Sequence, residues 1–234
     1  LGAAQPVVRK DAKVPTRVFG RTKEEVSILS FGGILDITEN HALLQKALDW
    51  GVTYWDTANG YSGGNSEIGI GTFFEKFPEV RKKIFLVTKS GNKSPKGMTE
   101  LLNTSLQRLK TDYIDLYFMH AVSNPNELTP EMKAWAEQAK KEKKIKYFGF
   151  STHSNMESCL MAASKLGWID GIMTTYGFRL MDKPEMKAAI EACHNAGIGV
   201  TAMKTQQQGA RKSTTEAELK IINQFLEKGM TPQQ

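Results

Sequence analysis

Ile84-Phe85-Leu86-Val87-Thr88-Lys89 is an apolar run that ends on a lysine. Its length and its share of β-branched and aromatic residues are those of a buried strand. The same pattern stands on either side of it. Upstream, Val52-Thr53-Tyr54-Trp55 runs into Asp56; downstream, Tyr113-Ile114-Asp115-Leu116-Tyr117-Phe118-Met119 runs into His120. Asp56 to Lys89 is 33 residues and Lys89 to His120 is 31, each about one strand-plus-helix unit. Parallel strands at that spacing present the same ends to one edge of a sheet. An acid, a base and an imidazole far apart in the chain would meet there. Tyr61, five residues past Asp56 in the loop that leaves the same strand, would add a phenol.

The alternation continues in both directions. Ser27 to Gly33 reads as a first strand ending in Gly32-Gly33, followed by a helix from His41 to Trp50 that Gly51 closes. The strand Thr53 to Thr57 leads to a helix from Ser66 to Phe77, with Ser66 as its N-cap. After Lys89 comes the helix Met98 to Leu109, where Leu101, Leu102, Ser105, Leu106 and Leu109 share a face. The strand Tyr113 to His120 and the helix Thr129 to Lys144 follow, then the strand Tyr147 to Ser151 and the helix Met156 to Leu166. Ile172 to Tyr176, the helix Pro184 to Ala196 with Gly197 behind it, and Val200 to Lys204 complete the regular part. A polar loop, 206–212, precedes a helix Thr215 to Lys228, and Thr231-Pro232 reads as a helix start.

Strict alternation predicts an α/β fold with a parallel sheet. Seven units without a break in composition predict a (β/α)8 TIM barrel rather than an open sheet, with the last β/α unit missing from this chain. Residues 1–15 read as an irregular N-terminal segment and 16–234 as the barrel, incomplete at its C-terminus. The stretch Thr16 to Thr22 has room for a small hairpin. An open seam would expose two strand edges, so the pattern implies that the chain continues beyond Gln234 or that a partner closes the gap.

Composition sets the outer bounds. The chain has 234 residues, 40% of them apolar and 24% charged, an ordinary globular balance. No run approaches the roughly 18 apolar residues of a membrane-spanning helix. The net charge of +6 sits partly in clusters such as Lys140, Lys141, Lys143 and Lys144, with Glu137 and Glu142 among them. That is the pattern of a solvated helix face, and no aromatic or Gly-rich element accompanies it to suggest nucleic-acid binding. A modest basic excess suits an anionic cofactor. Cys159 and Cys193 both fall in predicted helices, outside any CxxC pair, and read as buried free thiols.

The strand ends carry Gly33, Asp56, Lys89, His120, Ser151, Tyr176 and Lys204, and six of these seven are polar. In a (β/α)8 barrel that edge is where chemistry sits. Singly, each residue has a plain reading: Asp56 and Lys89 as a structural ion pair, His120 as a core histidine, Tyr61 as a loop aromatic. Together they fit carbonyl reduction. Hydride arriving at a carbonyl carbon builds negative charge on oxygen, so a proton donor must stand at that oxygen. A phenol is a weak acid, but an ammonium beside it favours the phenolate left behind and eases the transfer. Lys89 supplies that charge, Asp56 holds Lys89, and His120 positions the substrate oxygen. Tyr176 offers a face on which a nicotinamide ring can stack, and Ser151 and Thr152 offer hydroxyls to its carboxamide. Gly32-Gly33 would let backbone approach the cofactor. Lys204 suits either a pyrophosphate or a nearby carboxylate. No GxGxxG follows the first strand, so a Rossmann site is not indicated.

These stretches carry a resemblance. Trp55-Asp56-Thr57-Ala58 through Tyr61, Ser66-Glu67 with Gly69 and Gly71, Val87-Thr88-Lys89, the run from Leu106 to His120, Gly149-Phe150-Ser151 and Ala202-Met203-Lys204 are similar to the aldo-keto reductase family. The likeness extends from about residue 16 over nearly the whole chain. It implies a (β/α)8 barrel, NADPH as hydride donor with NADH still open, and small carbonyl substrates such as aldehydes, ketones or sugars. It maps the family's Asp, Tyr, Lys, His tetrad onto Asp56, Tyr61, Lys89 and His120. It places Gly33, Ser151, Thr152, Tyr176, Met203 and Lys204 at the cofactor. Three positions depart from the family pattern. Thr152 stands where Asn or Asp is usual, Met173 where Gln is usual, and Gly177 where Asn is usual. Each removes a hydrogen bond expected to hold the nicotinamide. His153, at the barrel mouth, reads as a solvated loop histidine or a substrate contact.

A nicotinamide-binding regulatory or redox-sensing subunit on the same barrel is the alternative function. A metal hydrolase would need a His-rich ligand cluster, and His41, His120, His153 and His194 form no HxH pair, so no metal site is assigned. Expected partners are a small-molecule carbonyl substrate, with no nucleic acid and no membrane, in a monomer or small homo-oligomer. The cytoplasm is the expected compartment, because the reduced cofactor is made there. Leu1 to Pro6, with its small residues, also fits the tail of an export signal and so leaves export in folded form open.

Overall fold

The structure is a computed structural model that describes residues 13–177, 180, 182–205, 223 and 227. The segment Leu1 to Pro6, the polar loop 206–212, the helix start at Thr231-Pro232 and all but two residues of the helix Thr215 to Lys228 lie outside them.

A two-stranded antiparallel hairpin comes first, β1 (Thr16–Val18) and β2 (Glu25–Ser27). Seven strands then form one parallel sheet in sequence order: β3 (Ser30–Gly32), β4 (Tyr54–Asp56), β5 (Phe85–Ser90), β6 (Ile114–Met119), β7 (Ile145–Thr152), β8 (Gly171–Thr175) and β9 (Gly199–Met203). The helices between them are α1 (His41–Asp49), α2 (Asn65–Lys76), α3 (Pro78–Arg81), α4 (Pro95–Arg108), α5 (Pro130–Lys141), α6 (Met156–Ala163) and α7 (Pro184–Asn195). The sheet curls until its far strands meet. The Tyr54 hydroxyl on β4 lies 3.0 Å from Thr201 Oγ1 on β9. Among the described residues the result is a (β/α)8 barrel short of its last unit, as the alternation predicts.

Period-two alternation divides the strand side chains between two cores. Trp55, Leu86, Tyr117, Phe148, Phe150 and Ile172 pack outward against helix residues such as Phe73, Leu102 and Leu160. Tyr54, Phe85, Val87, Leu116, Phe118 and Met173 point inward and are plugged by Phe19 and Val26 of the hairpin. The inward set ends on polar residues at the C-terminal rim, because Asp56 and Lys89 continue the parity of Tyr54 and Val87.

Several boundaries differ from expectation for local reasons. Ser27 to Gly33 is not one strand. Ile28 and Leu29 form an exposed turn between β2 and β3, and the Ser27 hydroxyl, donating to Leu29 O and accepting from Thr53 N and Tyr54 N, pins that turn. The hairpin is wider than Thr16 to Thr22, with a helical turn at Gly20–Thr22 inside it. Ser66 is not an N-cap. Gly64 takes the cap position with φ 104°, a backbone state that suits glycine, while Ser66 is buried and donates to Gly33 O. The next helix starts at Pro95, three residues before the expected Met98, and is capped by Ser94, whose hydroxyl accepts from Gly97 N at 3.2 Å.

Candidate active site

Lys89 ends the inward row of β5 and is 1% exposed. An ammonium buried that far must have all three of its protons matched. They are. Lys89 Nζ donates to Asp56 Oδ2 at 2.7 Å, to Thr57 O at 2.8 Å and to the Tyr61 hydroxyl oxygen at 3.3 Å. Asp56 Oδ1 lies 2.6 Å from the same nitrogen, a charge contact rather than an aligned hydrogen bond, so the ammonium sits astride the carboxylate. Burial pushes the Asp56 carboxyl above its ordinary value, and the Lys89 charge pulls the other way. Because Lys89 donates to the phenol oxygen, the Tyr61 proton is left to point elsewhere.

Tyr61 opens a helical turn, Tyr61–Gly64, in the loop after β4. Its ring lies under the Lys89 ammonium, 4.7 Å from nitrogen to centroid, and meets the His120 ring edge-on at 5.9 Å. His120 is half-buried just past the end of β6, held by a backbone bond from its N–H to Ser90 O. Burial first, and then Lys89, His153 and Lys93, push its imidazole down to about 4. His120 is therefore a neutral ring near pH 7, with one N–H to donate. The four side chains that the sequence scatters over 65 positions share one pocket.

The remaining rim residues divide. Ser151 faces inward at the end of β7, where it is buried and its Oγ accepts from Ala121 N at 3.0 Å. Tyr176 is half-buried against the outer core. Met203 packs into the inner core. Lys204 follows β9 in a left-handed conformation (φ 52°) and is exposed. Burial, then the charges of Lys204 and Lys89, lower the His153 imidazole, while its Nδ1 reaches Thr175 Oγ1 at 3.2 Å. Lys204 thus brings an exposed ammonium to the rim where His153 stands, while Lys89 beneath it is balanced by Asp56. A hydroxyl, an aromatic ring and that ammonium are groups that could hold an anionic dinucleotide.

Two residues expected at the cofactor have roles within the protein itself. Thr152 follows Ser151 and so points to the helix side, where it is buried and spends its proton on Ser154 O. Gly33 is excused a side chain by the protein itself: a Cβ there would stand 2.8 Å from Asp56 O and 3.1 Å from Ser66 Oγ. Gly32 faces open space.

Sequence reasoning missed the buried polar layer behind the pocket. Glu67 is fully buried in α2 and accepts from Thr88 Oγ1 at 2.6 Å, one residue before Lys89. Arg108 approaches Glu67 at 3.5 Å and donates to Asn59 O at 3.0 Å. The available signal was a carboxylate between Gly64 and the pair Gly69 and Gly71. Those glycines mark a helix pressed closely against its neighbours on that side, since a Cβ at Gly69 would stand 2.3 Å from Ile37 and one at Gly71 1.9 Å from Arg108 O. Among the described residues no three His, Cys, Asp or Glu side chains gather as a metal-ligand set.

The Aldo/keto reductase family model matches residues 30–230. The chain belongs to the aldo/keto reductase family. An NADP(+) aldo-keto reductase of Schizosaccharomyces pombe is 30% identical over 80% of this chain and 59% of its own length. An NADH-specific methylglyoxal reductase of Escherichia coli is 30% identical over 70% of this chain and 55% of its own. Among solved structures, an aldo-keto reductase of Bacillus halodurans in its holo form superposes with a TM-score of 0.77 at 26% identity, covering 90% of this chain and 76% of that one. The chain thus spans less than two thirds of the length of these curated relatives. Among the described residues no helix is long and apolar enough to cross a membrane.

Proposed function

We propose that this chain carries the active site of a nicotinamide-dependent carbonyl reductase, acting on aldehydes or ketones of small molecules. The observation that carries the reading is the Lys89 nitrogen, 2.6 and 2.7 Å from the two Asp56 oxygens and 3.3 Å from the Tyr61 hydroxyl. A reduced nicotinamide, when bound, supplies the hydride. Ser151, Tyr176, Met203 and Lys204 hold it at the rim. Tyr61 gives its proton to the carbonyl oxygen. Lys89 stabilises the phenolate that remains, and Asp56 keeps Lys89 charged and aimed. His120, neutral near pH 7, donates one hydrogen bond to the same oxygen and orients it. A neutral imidazole has no surplus proton to lose at that pH, and this supports Tyr61 over His120 as the acid.

The relatives differ in dinucleotide, NADP(+) in one name and NADH in another, so both are tested, with NADPH as the expected donor and the cytoplasm as the expected site. Full-length protein is assayed for loss of reduced-nicotinamide absorbance against an aldehyde and ketone panel. Tyr61→Phe removes the proton and leaves the ring. Its kcat should fall about 100-fold or more, while dinucleotide binding stays within twofold. Parental turnover in Tyr61→Phe would overturn the assigned role, and a parent inert with both dinucleotides would overturn the function.

A further inference from the structure

Tyr61 stands at the head of an unusual piece of backbone. The three residues after it all have positive φ: Ser62 at 49°, Gly63 at 66° and Gly64 at 104°. A non-glycine residue in that region is strained, and consecutive left-handed residues do not hold themselves in place. Something must fix the kink, because a phenol 3.3 Å from its ammonium loses that contact with a small shift.

Ser62 Oγ donates to Ile34 O at 3.1 Å and Asn65 Nδ2 to Asp36 Oδ2 at 2.6 Å on the outer side of the kink. The side chain lying against Gly64 is Arg108, the last residue of α4. Its guanidinium is so close to Gly64 that a Cβ there would stand 2.7 Å from Cζ and Nη1 and 2.9 Å from Nη2. Nη1 donates to Asn59 O, two residues before Tyr61, at 3.0 Å. Arg108 therefore touches the loop on both sides of Tyr61. Its charge is anchored by Glu67, fully buried at the start of α2, and Glu67 is anchored by Thr88 beside Lys89. The Asn59 N–H returns to Lys89 O at 3.1 Å. The chain of contacts runs from the strand that carries Lys89, through Glu67 and Arg108, to the loop that carries Tyr61, and back.

We infer that Arg108 is a positioning residue that clamps the Tyr61 loop against the Lys89 strand and so sets the phenol-to-ammonium distance. This rests on the reading of Tyr61 as proton donor. The side-chain contacts of Arg108 are to Asn59, Gly64 and Glu67, not to Ser151, Tyr176 or Lys204, so it acts on kcat and leaves the cofactor rim alone. A flat guanidinium suits the task, since it can lie over an α-carbon while pointing one edge at a carbonyl and another at a carboxylate.

The test uses Arg108→Gln and, as a second route to the same disturbance, Gly64→Ala, which puts a methyl into the guanidinium. Lys140→Gln, which breaks the Lys140–Asp170 ion pair elsewhere on the barrel, controls for general destabilisation. Both clamp variants should lose about tenfold to 100-fold in kcat, with KM for the dinucleotide within twofold, while Lys140→Gln keeps parental kcat. Hydrogen exchange of the 57–64 segment should speed up in the clamp variants and stay unchanged in β5 to β8. Arg108→Lys, which keeps charge and loses the flat fork, should recover part of both losses. Parental kcat in the folded clamp variants, or parental exchange in 57–64, overturns the clamp. A parent that reduces no carbonyl overturns the function reading instead, and the exchange measurement still decides whether Arg108 holds the loop.

Discussion

His120 shows how one side chain couples the site to stability. Its imidazole faces Lys89, His153 and Lys93, and burial combined with those charges holds it down to about 4 against an ordinary value of 6.5. Between these two values the unfolded chain takes up a proton that the folded chain refuses. Stability is therefore complete above about pH 6.5 and is lost as pH falls toward about 4. His153 is lowered as well and adds to the same slope. His120→Asn removes the larger contributor, so the drop in melting temperature from pH 7 to pH 5 should be smaller in that variant than in the parent. Equal drops would mean that His120 is not held neutral by the fold. The residue itself stood out in the sequence because it ends an apolar run. Its neutral state did not, since the burial that lowers it is tertiary and the groups that add to it, Lys89, His153 and Lys93, come from β5, from the loop after β7 and from the loop after β5.

At the scale of elements, the strands were readable because a parallel strand buried on both sides is a continuous apolar run, as in Phe85-Leu86-Val87 and Leu116-Tyr117-Phe118. The hairpin was harder. Val26-Ser27-Ile28-Leu29-Ser30-Phe31 also looks continuous, yet Ile28 and Leu29 are exposed, and only tertiary contacts separate β2 from β3. Those contacts make the hairpin the floor of the barrel. Phe19 packs edge-on against Tyr54 at 6.0 Å and, tilted, against Phe85 at 5.7 Å. Gly171 and Gly199 leave it room, since a Cβ at Gly199 would stand 2.4 Å from the Phe19 ring. Arg21 ties the same turn to Gly167, Ile169 and Ala196 carbonyls. Phe19→Ala opens a cavity under the inner core and should cost about 3–5 kcal/mol, read as a shift in denaturant midpoint with the slope unchanged. A loss under about 1 kcal/mol would show that the hairpin is ornament to the barrel rather than its floor.

Over the whole molecule, charge is arranged as deliberately as the tetrad. The basic excess counted from sequence, +6, says nothing of where it acts. Part of it sits where two cations share one carboxylate, Arg81 and Lys146 on Asp115 and Arg21 and Lys140 on Asp170, while Lys93 at the rim is matched by Glu127. The curl of the sheet brings Lys89 and Lys204 to the same rim from strands that are 115 residues apart in the chain, with His153 between them in field if not in sequence. The exposed Lys204 ammonium attracts an anion before any contact forms, and salt screens that attraction over about 10 Å at 0.1 M. Binding of the reduced dinucleotide should therefore weaken about fivefold or more between 20 and 200 mM salt, measured by calorimetry on the full-length protein. Lys204→Gln removes the exposed member of the rim, the one most open to screening, and should flatten that dependence while leaving the Lys89 to Tyr61 contact intact. An affinity indifferent to salt in the parent would mean that the dinucleotide is held by stacking on Tyr176 and by hydrogen bonds such as that from Ser151, with the rim charge serving the phenol alone.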